Sequence, residues 1–399
     1  MRPVPAWRPW LELGGALPVL FLAVWTRWPV PWRVMLGLSV AVPEIAHWLL
    51  VAGLLITAAA LRDWRRRRSR LAVAVLCPAL FWLGAVPLRI PAAVRAFDDA
   101  FESTLGSGYD RRIPAEVRER MRSSPLLFRD FLRGLDGQAV MVTPGIRYAA
   151  PNGEAVTLAV YRPAAGGRLP VVVQLHGGNW PRAYAGFDGP ITRALAASGY
   201  VVFDVDYRSA PRWHWPAQLE DVTAALGWIA ANAPAYGADA SQLVLVGRSI
   251  GAVLALRAAA APSPVHPRAV VALYCPVDLL ATYESPPVPD ILDVRARAEA
   301  FLGGDPRQTG SLYRDLSPIT HAGEPHPPIL LINGAMDPIV KAADARRLAK
   351  ELQTSGVAVQ LVLPWANHAF DSIAYGPSIQ ITLYYMQRFI AWALTEPAV

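Results

Sequence analysis

The pentapeptide Gly247-Arg248-Ser249-Ile250-Gly251 stands between an apolar run, residues 243–246, and an alanine-rich stretch. The run predicts a buried strand and the stretch a helix, so the chain must turn sharply between them. Gly247 and Gly251 are needed there because a side chain would collide with the neighbouring strand and helix. Ser249 is then held in strained geometry with its hydroxyl exposed at the helix N-terminus, where the helix dipole favours negative charge. The pattern predicts a nucleophile at the end of a buried strand.

The chain alternates predicted strands and helices from residue 139 onward. Apolar, β-branched runs predict strands at residues 155–161, 171–175, 200–205, 243–246, 269–274, 329–332 and 357–363. Helical spacing of apolar residues fills the gaps at 218–232, 251–261, 342–354 and 378–394. Strands that are apolar throughout and alternate with helices predict an α/β fold, with a mostly parallel sheet covered on both faces.

A glycine-rich loop, His176-Gly177-Gly178-Asn179-Trp180, follows the predicted strand 171–175. Glycine lets the backbone approach a substrate in unusual dihedrals. Backbone N–H groups of such a loop, with the N–H of the residue after a nucleophile, can hold the oxyanion of a tetrahedral intermediate. An ordinary turn is the alternative for the glycine pair. We expect His176 and Gly177 to shape the loop, with His176 ordering it and taking no part in proton transfer.

A serine nucleophile needs a base, and the base needs an orienting acid. Asp337 follows the predicted strand 329–332, and His368 follows the strand 357–363. The carboxyl ends of parallel strands meet at one edge of a sheet, so both side chains should converge on Ser249. Asp344 and Asp371 are rival acids, but the first lies inside a predicted helix and the second follows the histidine.

Together with Asp206-Tyr207-Arg208-Ser209-Ala210-Pro211, these motifs resemble the α/β-hydrolase superfamily. Within it, the similarity is greatest to hormone-sensitive-lipase-like and feruloyl-esterase-like carboxylesterases. The resemblance covers residue 139 to the C-terminus and implies oxyanion donors at Gly178, Asn179 and Ile250. It also implies hydrolysis of carboxylic esters through an acyl-enzyme, with no metal or organic cofactor. Asn179 departs from the third glycine that is usual in the lipase-like group, and relatives with a bulkier residue there include arylformamidases and other esterases.

Three other acyl-transfer activities remain open with the same residues: an amidase, a peptidase and an acyltransferase. An inactive hydrolase-fold scaffold is the alternative from a different class. The proline-rich, apolar segment 282–301 is expected to cap the acyl pocket, and a long surface insertion is its alternative.

Three apolar runs, residues 10–28, 34–61 and 71–88, open the chain. The first is about 27 Å long as a helix at ~1.5 Å per residue, close to a bilayer core of ~30 Å. The runs predict a three-span membrane anchor over residues 1–90, with a buried helical core as the alternative. Glu44 and His47 should share one face of the second helix near its outer end, solvated by water or headgroups.

Positive charge is concentrated in this N-terminal segment. Residues 1–90 hold eleven arginines and three acids, whereas the whole chain has a net charge of +7. The larger part is therefore nearly neutral, which excludes the basic surface that nucleic-acid binding requires. Six arginines in residues 62–70 place that loop on the cytoplasmic side, so the chain after residue 88 should lie on the non-cytoplasmic side of the cell membrane.

Residues 91–138 are polar, with Val94, Phe97, Phe101 and Leu105 at helical spacing. They predict two amphipathic helices beside the membrane or over the catalytic domain, either packed as core or acting as a substrate lid. The expected organisation is an anchor (1–90), a juxtamembrane segment (91–138) and a catalytic α/β-hydrolase domain (139–399). The expected partners are the lipid bilayer and an ester substrate, with a lipid or a cell-envelope acyl ester as candidates.

Overall fold

The computed structural model describes residues 7–28, 32–135, 140–164, 166–178 and 189–396. Six helices precede the sheet: α1 (Arg8–Val24), α2 (Leu36–Glu44), α3 (Ala46–Arg62), α4 (Arg67–Leu105), α5 (Ala115–Arg118) and α6 (Phe128–Arg133). The strands that follow are β1 (Val140–Ala149), β2 (Val156–Pro163), β3 (Leu169–Leu175), β4 (Val201–Val205), β5 (Ala238–Arg248), β6 (Ala269–Leu273), β7 (Ile329–Gly334) and β8 (Ala358–Leu363).

Helices connect and cover these strands. They are α7 (Pro190–Ala197), α8 (Ala217–Asn232), α9 (Ile250–Ala260), α10 (Leu279–Glu284), α11 (Val294–Leu302), α12 (Pro306–Leu316), α13 (Pro318–His321), α14 (Ala342–Leu352) and α15 (Pro377–Thr395). Buried apolar residues form one core on each face of the sheet. The predicted α/β layering with helices on both faces is confirmed.

The strands form a single eight-stranded sheet in the order β1-β2-β4-β3-β5-β6-β7-β8. Strands β3 to β8 are parallel, and β1, β2 and β4 pair antiparallel. Leu175 pairs with Gly247, and Gly334 pairs with Leu363. The loops after β3, β5, β7 and β8 therefore leave from the same edge of the sheet, where the sequence places its candidate site.

Strand β1 is the one strand that the apolar pattern did not predict. It lies at the edge of the sheet, pairs only with β2, and is largely exposed. It also contains Pro144 and Gly145, which interrupt the regular register with β2. Pro144 and Gly145 interrupt the strand pattern and most of the strand is exposed, so hydrophobic periodicity gives only a weak signal for it.

Helices α1, α3 and α4 pack against one another at the N-terminal side of the chain. By length and composition, α4 is the one helix in the described ranges that could cross a membrane alone. Helices α2 and α3 are long and apolar enough to cross only if the two together form one bent span. Helix α1 has 17 residues. Many large apolar side chains of this bundle are exposed, including Leu17, Phe21, Leu55 and Phe81.

The second apolar run is not one straight helix, which corrects the sequence prediction. Helices α2 and α3 are bent by 76° at Ile45. Glu44 and His47 therefore lie on different helices and do not share a face. Glu44 is fully buried and bonds Ser378 at the start of α15, and it is not solvated by water or headgroups.

Helix α4 is continuous from Arg67 to Leu105, so the third run and the first predicted amphipathic helix form one element. Pro78, Pro87 and Pro91 lie inside it; each removes one backbone hydrogen bond without ending the helix. The second predicted amphipathic helix is replaced by the short helices α5 and α6, both within residues 115–133.

The C-terminal half of α4 packs on α15. Phe101 lies 5.1 Å from the ring of Tyr385, and the Tyr385 hydroxyl donates to Asp98 at 2.7 Å. Phe97 and Leu105 are also buried in the same core. This part of the segment is packed as core, which was one of the two alternatives, and does not cover the sheet edge as a lid.

Candidate active site

Ser249 occupies the sharp turn between β5 and α9. Its backbone has φ 52° and ψ −123°, a conformation that non-glycine residues rarely adopt. A Cβ added at Gly247 would meet the backbone of Gly251 and Ala252, and one at Gly251 would meet the backbone of His176. The two glycines thus allow β5, α9 and the loop after β3 to approach at the serine.

The loops after β7 and β8 bring an acid and a histidine to Ser249. Nε2 of His368 lies 3.2 Å from Oγ of Ser249, and Nδ1 lies 2.7 Å from Oδ2 of Asp337. The Asp337 side chain is fully buried, and that of His368 is 12% exposed. The three predicted residues therefore form a continuous hydrogen-bonded chain from acid to hydroxyl.

The Asp337 carboxylate is held on both sides. Its Oδ1 accepts the N–H groups of Ile339 at 2.8 Å and Val340 at 2.9 Å, while Oδ2 faces His368. These three contacts to one buried carboxylate fix its orientation. The rival Asp344 lies at the start of α14 and lines the adjoining cavity, away from these contacts.

The loop after β3 is ordered by contacts of His176. Its Nε2 lies 3.2 Å from Asp206 Oδ1, and its ring stacks on Tyr207 at 4.2 Å. The Tyr207 hydroxyl donates to the carbonyl of His176 at 2.6 Å. These contacts fix the imidazole against Asp206 and Tyr207 and hold the backbone that leads to Gly177.

Two of the three expected oxyanion donors lie beside Ser249. Gly178, Ser249 and Ile250 line one cavity, and Ile250 is the first residue of α9, where backbone N–H groups are free of helical partners. Gly178 has φ +75°, which favours glycine. Asn179, the third expected donor, lies outside the described residues.

The cavity beside Ser249 has a volume of about 190 Å³. Its lining is mostly apolar and includes Val277, Leu279, Ile339 and Val340. The segment predicted as a cap supplies one wall, through Thr282, Leu292, Val294, Arg297, Ala298 and Phe301. The segment 282–301 therefore lies over the cavity and is not a surface insertion away from the site.

A buried charged network under Ser249 was missed by the sequence analysis. Arg248 Nε donates to Asp371 Oδ2 at 2.5 Å, and the Tyr274 hydroxyl donates to Asp371 Oδ1 at 2.7 Å. The Tyr274 ring lies 4.6 Å from that of His368. Arg248 lies between an apolar strand and a buried helix, and a buried arginine requires a carboxylate partner. The sequence could therefore have predicted an acidic partner for Arg248.

This network shifts the pKa values of two of its members. Burial by itself lowers the pKa of Arg248, but the adjacent Asp371 carboxylate outweighs burial, and the pKa is raised. Burial and the same carboxylate raise the pKa of Tyr274. Arg248 stays charged and Tyr274 stays protonated, so both remain donors to Asp371 at any physiological pH.

Metal binding has no candidate site in the ranges described above. No group of three or more His, Cys, Asp or Glu side chains in those ranges is arranged to hold an ion.

Comparison with known proteins gives one matching family profile and several similar esterases. Residues 158–352 match the sequence profile of the family described as BD-FAE. That stretch contains Ser249 and Asp337 and ends before His368. Esterase LipQ of Mycobacterium tuberculosis is 29% identical over 279 residues, which make up 65% of this chain and 64% of LipQ. Esterase LipC of the same organism is 30% identical over 219 residues, 51% of this chain and 53% of LipC.

Solved structures share the fold. An esterase of Pyrobaculum calidifontis has a TM-score of 0.53 and 25% identity, covering 69% of this chain and 97% of its own. A carbohydrate esterase from gut microbiota has a TM-score of 0.55 and 22% identity, covering 66% and 100%. The predicted α/β-hydrolase fold is thereby confirmed. The chain spans less than two thirds of LipQ and about half of LipC.

Proposed function

We propose that this chain is a membrane-anchored serine hydrolase of carboxylic esters, with Ser249 as nucleophile, His368 as base and Asp337 as orienting acid. The observation that carries the proposal is the position of His368, with Nε2 3.2 Å from Ser249 Oγ and Nδ1 2.7 Å from Asp337. Supporting this activity, the similar proteins LipQ and LipC are named esterases.

In the first half of the reaction, Ser249 Oγ attacks the ester carbonyl carbon while His368 Nε2 takes the hydroxyl proton. The carbonyl oxygen becomes an oxyanion, which backbone N–H groups of the Gly178 loop and of Ile250 stabilise. His368 then delivers its proton to the leaving alcohol as the carbon–oxygen bond breaks, leaving an acyl group on Ser249.

In the second half, water takes the place of the alcohol. His368 removes a proton from the water, the resulting hydroxide attacks the acyl carbon, and the proton returns to Ser249 Oγ as the acid leaves. Asp337 holds the imidazole tautomer and stabilises the imidazolium that forms twice in each cycle.

The substrate is an ester with an apolar acyl group. Val277, Leu279 and Phe301 offer an apolar surface beside Ser249, and burial of methylene groups there is favourable by ~0.8 kcal/mol each. A lipid or a cell-envelope acyl ester satisfies this requirement and is available at a membrane.

The anchor consists of α1, α3 and the N-terminal part of α4, in a multi-pass arrangement that places the catalytic domain on the non-cytoplasmic side. Exposed apolar side chains on all three helices support contact with lipid. Arg8 lies 3.9 Å from Asp63 at one end of the bundle, and Trp28 packs on Trp82 at the other, as charged and aromatic groups do at the two faces of a bilayer.

A fluorophosphonate label and the variant Ser249→Ala test the proposal together. The full-length chain should be labelled and should hydrolyse p-nitrophenyl esters, and Ser249→Ala should lose both by a factor of about 10⁴ to 10⁶ with an unchanged circular dichroism spectrum. Anilides with the same acyl groups separate an esterase from an amidase or peptidase. Absence of labelling in the wild-type chain would favour an inactive scaffold.

A further inference from the structure

Helix α2 of the N-terminal segment lies against the loop that carries His368. The helix contacts the turn Phe370–Ser372, and Ser39, Pro43 and Glu44 are all buried. This contact joins a part of the chain before the bundle helix α3 to the loop after the last strand.

Pro43 leaves one carbonyl of α2 available to that loop. In an α-helix the carbonyl of Ser39 would accept the N–H of residue 43, but proline has no N–H. The Ser39 carbonyl instead accepts Nδ2 of Asn367 at 3.4 Å, a long hydrogen bond between buried groups. The proline therefore creates the acceptor that receives the residue next to His368.

The Asn367 side chain connects α2 to the backbone of His368. Its side chain is buried, and its Oδ1 accepts the N–H of His368 at 2.8 Å. One amide thus bonds α2 with its nitrogen and the histidine with its oxygen. The imidazole is held from the other side by Asp337, so its position depends on both contacts.

Glu44 makes a second connection through the start of α15. Its Oε2 accepts the N–H of Ser378 at 3.0 Å, and its Oε1 accepts the Ser378 hydroxyl at 2.6 Å. Helix α15 has a glycine, Gly376, at its N-cap with no side-chain cap, so the Glu44 carboxyl supplies the missing acceptor. The Ser378 Oγ in turn accepts Nε1 of Trp365, three residues before His368.

We propose that Ser39 and Glu44 are positioning residues for His368. The N-terminal segment then contributes to the geometry of the active site in addition to anchoring the chain. The inference rests on the proposed function, because positioning of His368 matters only if His368 transfers protons to and from Ser249. It assigns to α2 a role that an anchor alone would not require. A displacement of about 1 Å at a reacting group can cost on the order of 10²-fold in rate.

The test compares full-length variants in detergent micelles or lipid nanodiscs. Glu44→Ala should lower kcat by about 10- to 100-fold with KM changed less than about threefold, because the loss falls on the transition state. Glu44→Gln should restore most of kcat, since its amide can still accept the Ser378 N–H. The matched control is Glu12→Ala, which removes another buried glutamate side chain of the same segment, one that accepts a hydrogen bond from Ser69 within the bundle. That control should keep kcat.

Pro43→Ala provides a second test of the contact between α2 and the His368 loop, which can be used if Glu44→Ala unfolds. The alanine N–H would compete with Asn367 for the Ser39 carbonyl, while α2 itself would gain a helical hydrogen bond. Loss of one net hydrogen bond of about 1 kcal/mol corresponds to a kcat lower by roughly 2- to 10-fold, with an unchanged or higher melting temperature. A purely structural role for α2 predicts no such loss of rate in a chain that is equally stable.

The outcomes separate this inference from the proposed function. Ester hydrolysis by the wild-type chain that Ser249→Ala abolishes, combined with wild-type kcat in folded Glu44→Ala and Pro43→Ala, would overturn the positioning role alone. Equal losses of kcat in Glu12→Ala and Glu44→Ala would also overturn it, because the effect would then be general to the bundle. A wild-type chain that hydrolyses no ester would overturn both.

Discussion

Nδ1 of His368 lies 2.7 Å from Oδ2 of Asp337, whereas Asp371, three residues after the histidine, bonds Arg248 and Tyr274. The two carboxylates are both buried and have different partners. One carboxylate is available to orient the histidine, and the other neutralises an arginine beneath the nucleophile.

Asp337→Asn should lower kcat by about 10⁴-fold, because an amide in place of the carboxylate favours the wrong tautomer of His368. Initial rates on a p-nitrophenyl ester would measure the loss. Asp344→Asn is the matched control, since Asp344 lines the cavity without touching His368, and it should stay within about threefold of wild type. Comparable rates for Asp337→Asn and wild type would assign the orienting role to another acid.

Asp371→Asn should destabilise the fold, although the position of Asp371 in the sequence, after the histidine, indicates a dispensable acid. The change leaves Arg248 buried without its ion-pair partner, at a cost of roughly 3–5 kcal/mol. A melting temperature lower by on the order of 10 °C should accompany a smaller loss of rate than in Asp337→Asn. A rate loss as large as that of Asp337→Asn, with normal stability, would show that Asp371 acts in catalysis itself.

The sequence predicted the strand ends that carry Ser249, Asp337 and His368 because each follows a fully apolar strand. Buried parallel strands leave an unambiguous pattern, and their carboxyl ends meet at one edge whatever the order of the strands. The same reasoning could not place Asp371 opposite Arg248, because residues more than a hundred positions apart in sequence are brought together only by the loops.

The N-terminal segment shows where composition fails to decide structure. Apolar content predicted one helix over residues 34–61, but Pro43, Glu44 and the contact with Ser378 produce a bend at Ile45. The change from an apolar to a polar stretch at residue 91 predicted separate segments, yet α4 is continuous and packs on α1, α3 and α15. Tertiary contacts override local propensity in both cases.

Ala298→Trp should shorten the acyl chains that the site accepts. Ala298 lies on α11 in the wall of the cavity, so an indole there would occupy space beside Ser249. Each excluded methylene is worth about 1–3 kcal/mol of discrimination. For p-nitrophenyl esters from acetate to decanoate, kcat/KM of the variant should fall steeply as the acyl chain lengthens. On the acetate ester, kcat/KM should remain close to the wild-type value. A uniform loss over the series would place the acyl group elsewhere.

Stability should depend on pH through Glu44, which lies outside the three bundle helices. Burial raises the pKa of Glu44 from 4.5 to about 8, opposed by the hydrogen bonds of Ser378 and increased by the charge of Asp371. Since the folded state holds this proton more tightly, the stabilisation is complete below pH 4.5 and is lost as pH rises through 8. The melting temperature of the wild type should therefore fall relative to Glu44→Gln between those values. Parallel curves would mean that Glu44 ionises equally in folded and unfolded chains.

Reporter fusions after Leu105, the last residue of α4, should place the catalytic domain on the non-cytoplasmic side. The arginine-rich loop between α3 and α4 favours the cytoplasm, and under the proposed topology a membrane-spanning α4 would carry the chain across. Alkaline phosphatase joined there should be active, because it folds only after export, and green fluorescent protein exported through the Sec pathway should be dark. The nearly neutral catalytic domain presents no charge barrier to translocation. The opposite pattern would mean that one apolar run does not cross, with the bent pair of α2 and α3 as a re-entrant element, and Ser249 would then face cytoplasmic esters.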